Sequence, residues 1–199
     1  MAGGQPGLFG GGAPALPDGL EYCSGLIAPE EEAELAAHLA ALPFRPFEFH
    51  GYVGNRRTLS FGWHYAFDGS GLAPTDPMPD WLIPLRGRAA GMARLTPEAL
   101  EHVLLTEYAP GAGIGWHRDR PDFEDVVGIS LMAPARLRFR RRLVERGKWE
   151  RAALIAEPRS AYLLRGPVRE EWQHSIAPME ALRYSITFRS LRRREDGGT

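Results

Sequence analysis

The second half of the chain constrains the fold most, because it consists of short strand-like segments separated by turn residues. Three of these segments, at 100–108, 126–132 and 182–189, are rich in β-branched, aromatic and aliphatic residues over lengths typical of strands. Further strands are predicted at 136–142, 151–156 and 160–165. Two helices precede them, one opening at Pro29 and one covering 81–94. Many short strands after two early helices favour an α+β, mainly β fold: a double-stranded β-helix, or jelly roll, with N-terminal helices packed on one sheet.

The first helix has clear boundary signals in the sequence. Pro29 provides the fixed φ of a first helical position, and three glutamates follow it near the positive end of the helix dipole. Pro43 ends the helix, and leucines at 35, 39 and 42 form its buried stripe.

Composition restricts the class of protein. The chain has 199 residues with a net charge of −1, so strong duplex binding driven by overall charge is not indicated. Cys23 is the one cysteine, which excludes an internal disulfide and a cysteine-based zinc site and suits the reducing cytoplasm. We expect a cytoplasmic monomer without membrane spans. Residues 1–18 are predicted to be a flexible Gly/Pro-rich leader, 19–190 a single domain and 191–199 a disordered tail.

A strand, a glycine-rich turn and a His-x-Asp pair follow one another between residues 106 and 119. Side chains two apart in an extended chain point the same way, so His117 and Asp119 can reach one metal ion from one side. An imidazole with a carboxylate is two-thirds of the facial triad of non-haem Fe(II) oxygenases. A second histidine, His174, follows downstream and completes the candidate set.

The predicted strand at 182–189 has two unlike faces. Tyr184, Ile186 and Phe188 form an apolar face, whereas the opposite face carries Arg183, Ser185, Thr187 and Arg189. A face with two arginines favours a polar cavity that holds an anion, because guanidinium pairs with a carboxylate through two hydrogen bonds. A dicarboxylate beside a His/Asp/His metal is the arrangement of a 2-oxoglutarate oxygenase.

Taken together, these motifs resemble the AlkB family of Fe(II)/2-oxoglutarate-dependent dioxygenases. Six segments match the family in order and spacing: 104–111, 117–119, 129–131, 138–140, 172–175 and 183–189. The last segment has the family's two arginines with five residues between them and ends in Thr-Phe-Arg. The combination is specific, although each motif alone would be weak.

The resemblance implies a set of roles. Fe(II) would be held by His117, Asp119 and His174, with 2-oxoglutarate and dioxygen as cosubstrates. The cosubstrate would be bound by Thr106, Tyr108, Arg183, Thr187 and Arg189. Of these, Arg183 would pair with the distal carboxylate, and Arg189 would lie deeper and steady the metal carboxylate. The family usually has Asn where this chain has Thr106, which weakens or replaces one contact to the cosubstrate.

Residues 44–67 are dense in aromatic side chains and occupy the position of the family's nucleotide-recognition lid. The predicted substrate contacts are Arg57, Phe61, Trp63, Tyr65, Arg138 and Arg140. Aromatic residues would stack on a base, and arginines would meet phosphates. The alternative is ordinary core packing for the aromatic residues and a solvated hairpin for the arginines. His102 is predicted to point away from the site, and neither His50 nor His64 has an acidic partner two residues away.

Three functions are compatible with these residues. The first is oxidative demethylation of N-alkylated nucleobases in DNA or RNA, single-stranded or with the target base flipped out, as in repair of alkylation damage. The second is an AlkB-like oxygenase that hydroxylates or demethylates a protein side chain or a small metabolite. The third is a non-catalytic jelly-roll binding module that has lost its metal. Salt-dependent binding to single-stranded DNA would separate the first two, and metal content would separate the third.

Overall fold

The computed structural model describes residues 16–49, 52–66, 71–143 and 147–193. Most of the predicted leader and tail, together with His50, Phe67 and Arg146, lies outside these residues. The division into leader, domain and tail therefore stays a prediction.

The described residues form thirteen strands, three α-helices and two turns of 3-10 helix. The helices are α1 (Pro29–Ala40), α2 (Ile83–Ala93) and the single-turn α3 (Pro167–Glu170), and the 3-10 turns cover Asp80–Leu82 and Pro97–Ala99. The strands are β1 (Leu20–Cys23), β2 (Arg45–Phe49), β3 (Tyr52–Phe61), β4 (Trp63–Ala66), β5 (Gly71–Pro74), β6 (His102–Tyr108), β7 (Ile114–His117), β8 (Phe123–Leu131), β9 (Ala135–Arg142), β10 (Trp149–Ala156), β11 (Ala161–Leu164), β12 (Gln173–Ile176) and β13 (Arg183–Leu191).

Two antiparallel sheets carry the fold. The major sheet has the strand order β1-β11-β8-β13-β6-β3-β2, and the minor sheet has the order β10-β9-β12-β7. A separate two-stranded ribbon pairs β4 with β5. Apart from β2 and β3, neighbours in the major sheet are distant in sequence; β13, for example, lies between β6 and β8. This is the predicted mainly β, jelly-roll class of fold, and the prediction is confirmed.

The helices cover one face of the major sheet, as expected. Leu35 and Leu39 of α1 and Leu85 of α2 are buried in one core cluster with alternate residues of the central strands, such as Leu105 and Ile186. Helix α1 begins at Pro29 with three glutamates in its first turn, in agreement with the sequence signals. None of the helices in the described part of the chain is long and apolar enough to cross a membrane.

The opposite face of the major sheet packs on the minor sheet. Tyr108, Tyr162 and Leu164 from the major sheet share a second core cluster with Leu137 and Phe139 from the minor sheet. Residues on this inner face alternate with the helix-facing ones, since successive side chains of a strand point to opposite sides. The space between the two sheets therefore collects the inward-pointing polar residues of β6 and β13.

Candidate metal centre and cosubstrate pocket

His117, Asp119 and His174 come together between the sheets. His117 ends β7 and lies directly opposite His174 of β12 in the antiparallel register, so both imidazoles point to the inner face. Their ring centroids are 4.2 Å apart, and Nε2 of His174 lies 3.8 Å from a carboxylate oxygen of Asp119. One potential ligand atom from each of the three residues lies within 4.8 Å of the other two. Two imidazoles and one carboxylate in this arrangement suit Fe(II) with open coordination positions.

The loop between β6 and β7 sets this register. Gly111 N–H donates to the Met179 carbonyl at 2.7 Å, and Met179 N–H donates to the Ala112 carbonyl at 2.8 Å. A Cβ atom at Gly113 would lie only 2.8 Å from the Ile176 carbonyl oxygen, so a residue with a side chain would push the loop away. The glycine-rich turn thus lets the loop run against the segment after β12, which holds β7 beside β12.

The tautomer of His117 is set by its own backbone. Its Nδ1 lies 2.9 Å from the Gly115 carbonyl oxygen, which can only accept, so Nδ1–H donates. The other ring nitrogen, Nε2, is then left as the unprotonated metal ligand.

Arg189 holds the carboxylate of Asp119. Its Nη2 donates to Asp119 Oδ1 at 3.0 Å, and both side chains are nearly buried. Burial alone would raise the pKa of Asp119, but the positive charge of Arg189 outweighs it and holds the pKa well below its usual range. Asp119 is therefore a carboxylate at every physiological pH, as a metal ligand must be.

Both ligand histidines are neutral in the folded protein. Burial lowers the pKa of His174 to about 3, with a further contribution from His117. Burial likewise lowers the pKa of His117, and the attraction of Asp119 offsets this only in part. Neutral imidazoles bind a metal without first losing a proton.

The structure contradicts the prediction that His102 points away from the site. It lies on the same face of β6 as Thr106 and Tyr108, and it is opposite Arg189 in the register of β13. Its ring packs against Phe123 with centroids 4.8 Å apart, and burial followed by the charge of Arg189 lowers its pKa to about 2. His102 is therefore a buried neutral neighbour of the metal cluster.

These buried histidines predict acid sensitivity in the metal-free protein. A histidine whose folded pKa is lowered binds its proton more readily when unfolded, so stability falls as the pH drops below about 6.5. The loss should approach about 1.4 kcal/mol per pH unit for each such histidine and continue toward the folded pKa of about 3 for His174. Urea unfolding in the presence of a chelator between about pH 7 and 5 measures this slope. In the His102→Leu variant, the slope of stability against pH should be smaller by the contribution of one proton, about 1.4 kcal/mol per pH unit. An unchanged slope would mean that His102 is charged in the folded state.

Arg183 marks a second feature of the inner face. Its side chain is fully buried, and its Nε donates to Ser130 Oγ at 2.9 Å. Its two terminal nitrogens have no hydrogen-bond partner among the described residues. The guanidinium also lies 5.1 Å from the ring centre of Tyr108, its neighbour in the register of β6 and β13. A buried, unpaired guanidinium is costly, so this geometry fits a carboxylate that completes the pair.

Other predicted cosubstrate residues lie on the same inner face as this guanidinium. Thr106 and Thr187 are both buried, and Thr106 lies opposite Ser185 in the register. The hydroxyls of Ser185 and Thr187 are 3.4 Å apart. The inner face of β6 and β13 thus joins the metal cluster at Arg189 to the unpaired cation at Arg183. The donors present fit both Fe(II) and a bound dicarboxylate.

Tyr162 is a site residue that the sequence analysis missed. Its ring lies directly over Gly128, where a Cβ atom would be 2.4 Å from the phenolic oxygen. Burial raises the pKa of Tyr162, and Arg183, Tyr108 and Asp119 all act on it electrostatically. A glycine inside a strand signals close approach of another group, and Gly128 was the available signal.

The structure separates two predicted substrate residues from the metal. Arg57 lies opposite Glu107 in the register and donates two hydrogen bonds to its carboxylate, at 2.7 and 2.8 Å. Phe61 packs against the core under the helices. Both belong to the face of β3 that points away from the metal, so this placement does not support substrate contact. Arg56, the preceding residue, shares the inner face with Tyr108, and its charge acts on His117.

The remaining substrate candidates also differ in position. Arg138 and Arg140 lie on the outer face of the minor sheet, because Leu137 and Phe139, which alternate with them along β9, are buried. Trp63 is half-buried and lies opposite Pro74 in the ribbon of β4 and β5. The side chain of Tyr65 lies outside the described residues.

Comparisons with known proteins agree with this geometry. The family model of the 2OG-Fe(II) oxygenase superfamily matches residues 19–189. The fold is similar to the solved structure of OsALKBH1, with a TM-score of 0.64 and 16% identity over 88% of this chain and all of that one. It is also similar to a prolyl-4-hydroxylase from Pseudomonas putida, with a TM-score of 0.60 and 15% identity over 87% of this chain and 93% of that one.

A curated relative is less informative about function. Uncharacterized protein L905 of Acanthamoeba polyphaga mimivirus is 28% identical over 104 residues, which are 46% of this chain. The match spans about half of that relative, 48% of its length. The family match to 171 of the 199 residues, from 19 to 189, covers most of the chain and carries the assignment. The chain therefore belongs to the 2OG-Fe(II) oxygenase superfamily.

Proposed function

We propose that this protein is a 2-oxoglutarate-dependent dioxygenase that uses Fe(II) and dioxygen, and that it removes alkyl groups from the ring nitrogens of nucleobases in DNA or RNA. One observation carries the reaction type: the buried, unpaired guanidinium of Arg183 lies on the same inner face as the His/Asp/His cluster. The substrate class is supported by the AlkB-like order of motifs and by the similarity in fold to OsALKBH1. The predicted cytoplasmic location is part of the proposal.

Each residue of the inner face has a distinct task. His117, Asp119 and His174 would hold Fe(II), and Arg189 keeps the carboxylate of Asp119 ionised and oriented. Arg183 would bind the distal carboxylate of 2-oxoglutarate through its two unpaired nitrogens. The ring of Tyr108 and the hydroxyl of Thr187 line the path between these two ends.

The bound metal, 2-oxoglutarate and dioxygen would supply the oxidation: 2-oxoglutarate would be converted to succinate and carbon dioxide, a C–H bond of the alkyl group would become C–OH, and dioxygen would give one oxygen atom to succinate and the other to the C–OH group. A hydroxymethyl group on nitrogen then breaks down to formaldehyde and the free amine. The protein positions the reactants and, through the burial of the cluster, excludes water. A target base in a duplex has to leave the stack to reach a site buried between two sheets.

A second candidate is oxidation of a protein side chain or a small metabolite. The fold is similar to that of the Pseudomonas putida prolyl-4-hydroxylase, and the net charge of −1 gives no general attraction to polyanions. The two candidates predict the same metal and cosubstrate residues and differ only in the substrate.

The test supplies Fe(II) without oxygen, then oxygen, with 2-oxoglutarate and a single-stranded oligonucleotide that carries 1-methyladenine or 3-methylcytosine. We expect succinate and formaldehyde in equal amounts, with both lost in the His117→Ala variant. Succinate without formaldehyde, at a rate that the oligonucleotide does not change, would reject the nucleobase as the substrate. It would favour oxidation of a protein side chain or a small metabolite. Absence of both products in an iron-loaded protein would contradict the assigned roles of the cluster.

A further inference from the structure

The outer face of the minor sheet carries a cluster of arginines and tryptophans that the proposed chemistry does not use. Its members project from three of the four strands, β7, β9 and β10; they are Trp116, Arg136, Arg138, Arg140, Trp149 and Arg151. We call these six residues the Arg/Trp face. They lie on the outside because the residues that alternate with them on β9 and β10 are turned into the core.

The Arg/Trp face is ordered by stacking. The guanidinium of Arg140 lies 4.3 Å from the ring centre of Trp116 and 4.4 Å from that of Trp149, so it sits between two indoles. Arg138 lies 5.3 Å from the same Trp116 ring and donates from Nε to Ser175 Oγ at 3.0 Å. The Nε of Arg140 donates to the amide oxygen of Gln173, Oε1, at 2.8 Å. The side chains are therefore held in place before any partner arrives.

The positive charge of the Arg/Trp face is uncompensated. Within the described ranges, none of its four arginines forms an ion pair. Arg141 offers a contrast on the opposite side of the same strand, where it pairs with Glu150 and Glu171. In a chain with a net charge of −1, a sheet face that gathers cations without acids favours a polyanion.

The exposed indole decides which polyanion fits. Trp149 is 39% exposed. Aromatic rings between cations provide stacking surfaces for unpaired bases while the cations meet phosphates. A duplex hides its bases, so it would leave the indole unused.

The position of the Arg/Trp face links it to the metal centre. Trp116 and His117 are neighbours on β7, the edge strand of the minor sheet, and they point to opposite faces. A single-stranded nucleic acid that passes around this edge can place one nucleotide at the inner face and the following nucleotides across the outer face. The four strands span about 14 Å at the usual strand spacing, enough for a few nucleotides. We propose that the Arg/Trp face binds the nucleotides that flank the target base in a single-stranded nucleic acid; this rests on the proposed function for the identity of the target.

The first test measures binding of the full-length protein to a labelled, unmodified single-stranded oligonucleotide of about 15 nucleotides. Trp149→Ala should weaken binding about 10-fold, and Trp149→Tyr should restore most of it, because stacking of one base contributes about 1–3 kcal/mol. The double variant Arg136→Ser/Arg151→Ser should reduce the salt slope of log K by about 1.4, or about 0.7 for each phosphate contact.

A matched control removes a cation elsewhere. Arg94 ends α2 on the far side of the major sheet, has a left-handed φ of 55° and is paired with Glu21. Arg94→Asn keeps a residue that tolerates this conformation and should leave both affinity and salt slope unchanged. Equal affinities for wild type, the double variant and Trp149→Ala would overturn the proposal. So would loss of self-association in Trp149→Ala with unchanged oligonucleotide affinity, since the face would then bind a second copy of the chain.

A second test separates this proposal from the proposed function. On a methylated mononucleotide, Trp149→Ala should keep the wild-type kcat/KM, because the flanking nucleotides are missing. On a methylated oligonucleotide of about 15 nucleotides, its KM should rise about 10-fold at unchanged kcat. If the wild-type protein binds oligonucleotides through the Arg/Trp face but releases no formaldehyde, the proposed binding by the face is supported and demethylation as the function is rejected. If wild type and Trp149→Ala demethylate both substrates equally, demethylation as the function is supported and binding by the Arg/Trp face is rejected.

Discussion

Replacement of Arg183 by methionine should raise the KM for 2-oxoglutarate by roughly 100-fold or more. The guanidinium is fully buried, and its two terminal nitrogens have no other partner in the described part of the chain. Removing one partner of a buried ionic pair typically costs about 3–5 kcal/mol, which corresponds to a factor of at least about 100. Succinate release as a function of 2-oxoglutarate concentration measures the effect.

The same substitution should leave the cosubstrate-free protein as stable as the wild type, or more stable. Without a carboxylate, Arg183 is a buried cation whose one side-chain hydrogen bond to a described residue is to Ser130. Methionine has a similar length and no charge to desolvate. Arg183→Lys serves as the control, because it keeps the charge but loses the two-pronged geometry and should show an intermediate KM. A methionine variant with unchanged KM would place the cosubstrate carboxylate elsewhere.

Loss of Asp119 should abolish iron binding and also destabilise the metal-free protein. Even residues that only orient metal ligands typically cost 10- to 100-fold in affinity, so Asp119→Ala should weaken Fe(II) binding by about 100-fold at least. It also removes the carboxylate that lies 3.0 Å from Nη2 of Arg189. Breaking such a buried pair from one side costs about 3–5 kcal/mol in the free energy of unfolding.

His117→Ala provides the matched comparison for Asp119→Ala. It should lose iron to a similar extent, but it removes a neutral ring and leaves the pair of Asp119 and Arg189 in place. Iron content and urea unfolding in the presence of a chelator distinguish the two effects. If both variants kept iron, the metal would be bound by other residues. If both variants had the same free energy of unfolding, the pair of Asp119 and Arg189 would not stabilise the metal-free protein.

The faces within single strands followed from the sequence. The alternation in β13 separated Arg183 and Arg189 from the apolar side, and the structure has the same division. The His-x-Asp spacing placed His117 and Asp119 together for the same reason. The boundaries of α1 also followed from local signals, as the helix starts at the predicted proline. All of these depend on residues within a few positions of one another.

The features that were wrong or missed depend on how strands pair. Arg56 and Arg57 are adjacent, and the register of β3 against β6 decides that Arg56 faces inward while Arg57 pairs with Glu107. His102 was predicted to point away, yet pairing of β6 with β13 sets it opposite Arg189. Because side chains alternate along a strand, an error of one residue in phase moves a side chain to the other face.

By itself, therefore, the sequence determined the fold class, the metal motif and the two-faced strand with its arginines. The tertiary structure decided which other residues join them. Tyr162 reaches the pocket only because β11 pairs with β8 and Gly128 leaves room for its ring. The Arg/Trp face exists only because β7, β9, β10 and β12 align as one sheet. Contacts between residues far apart in the chain depend on strand order and register, and local patterns of side chains do not specify these.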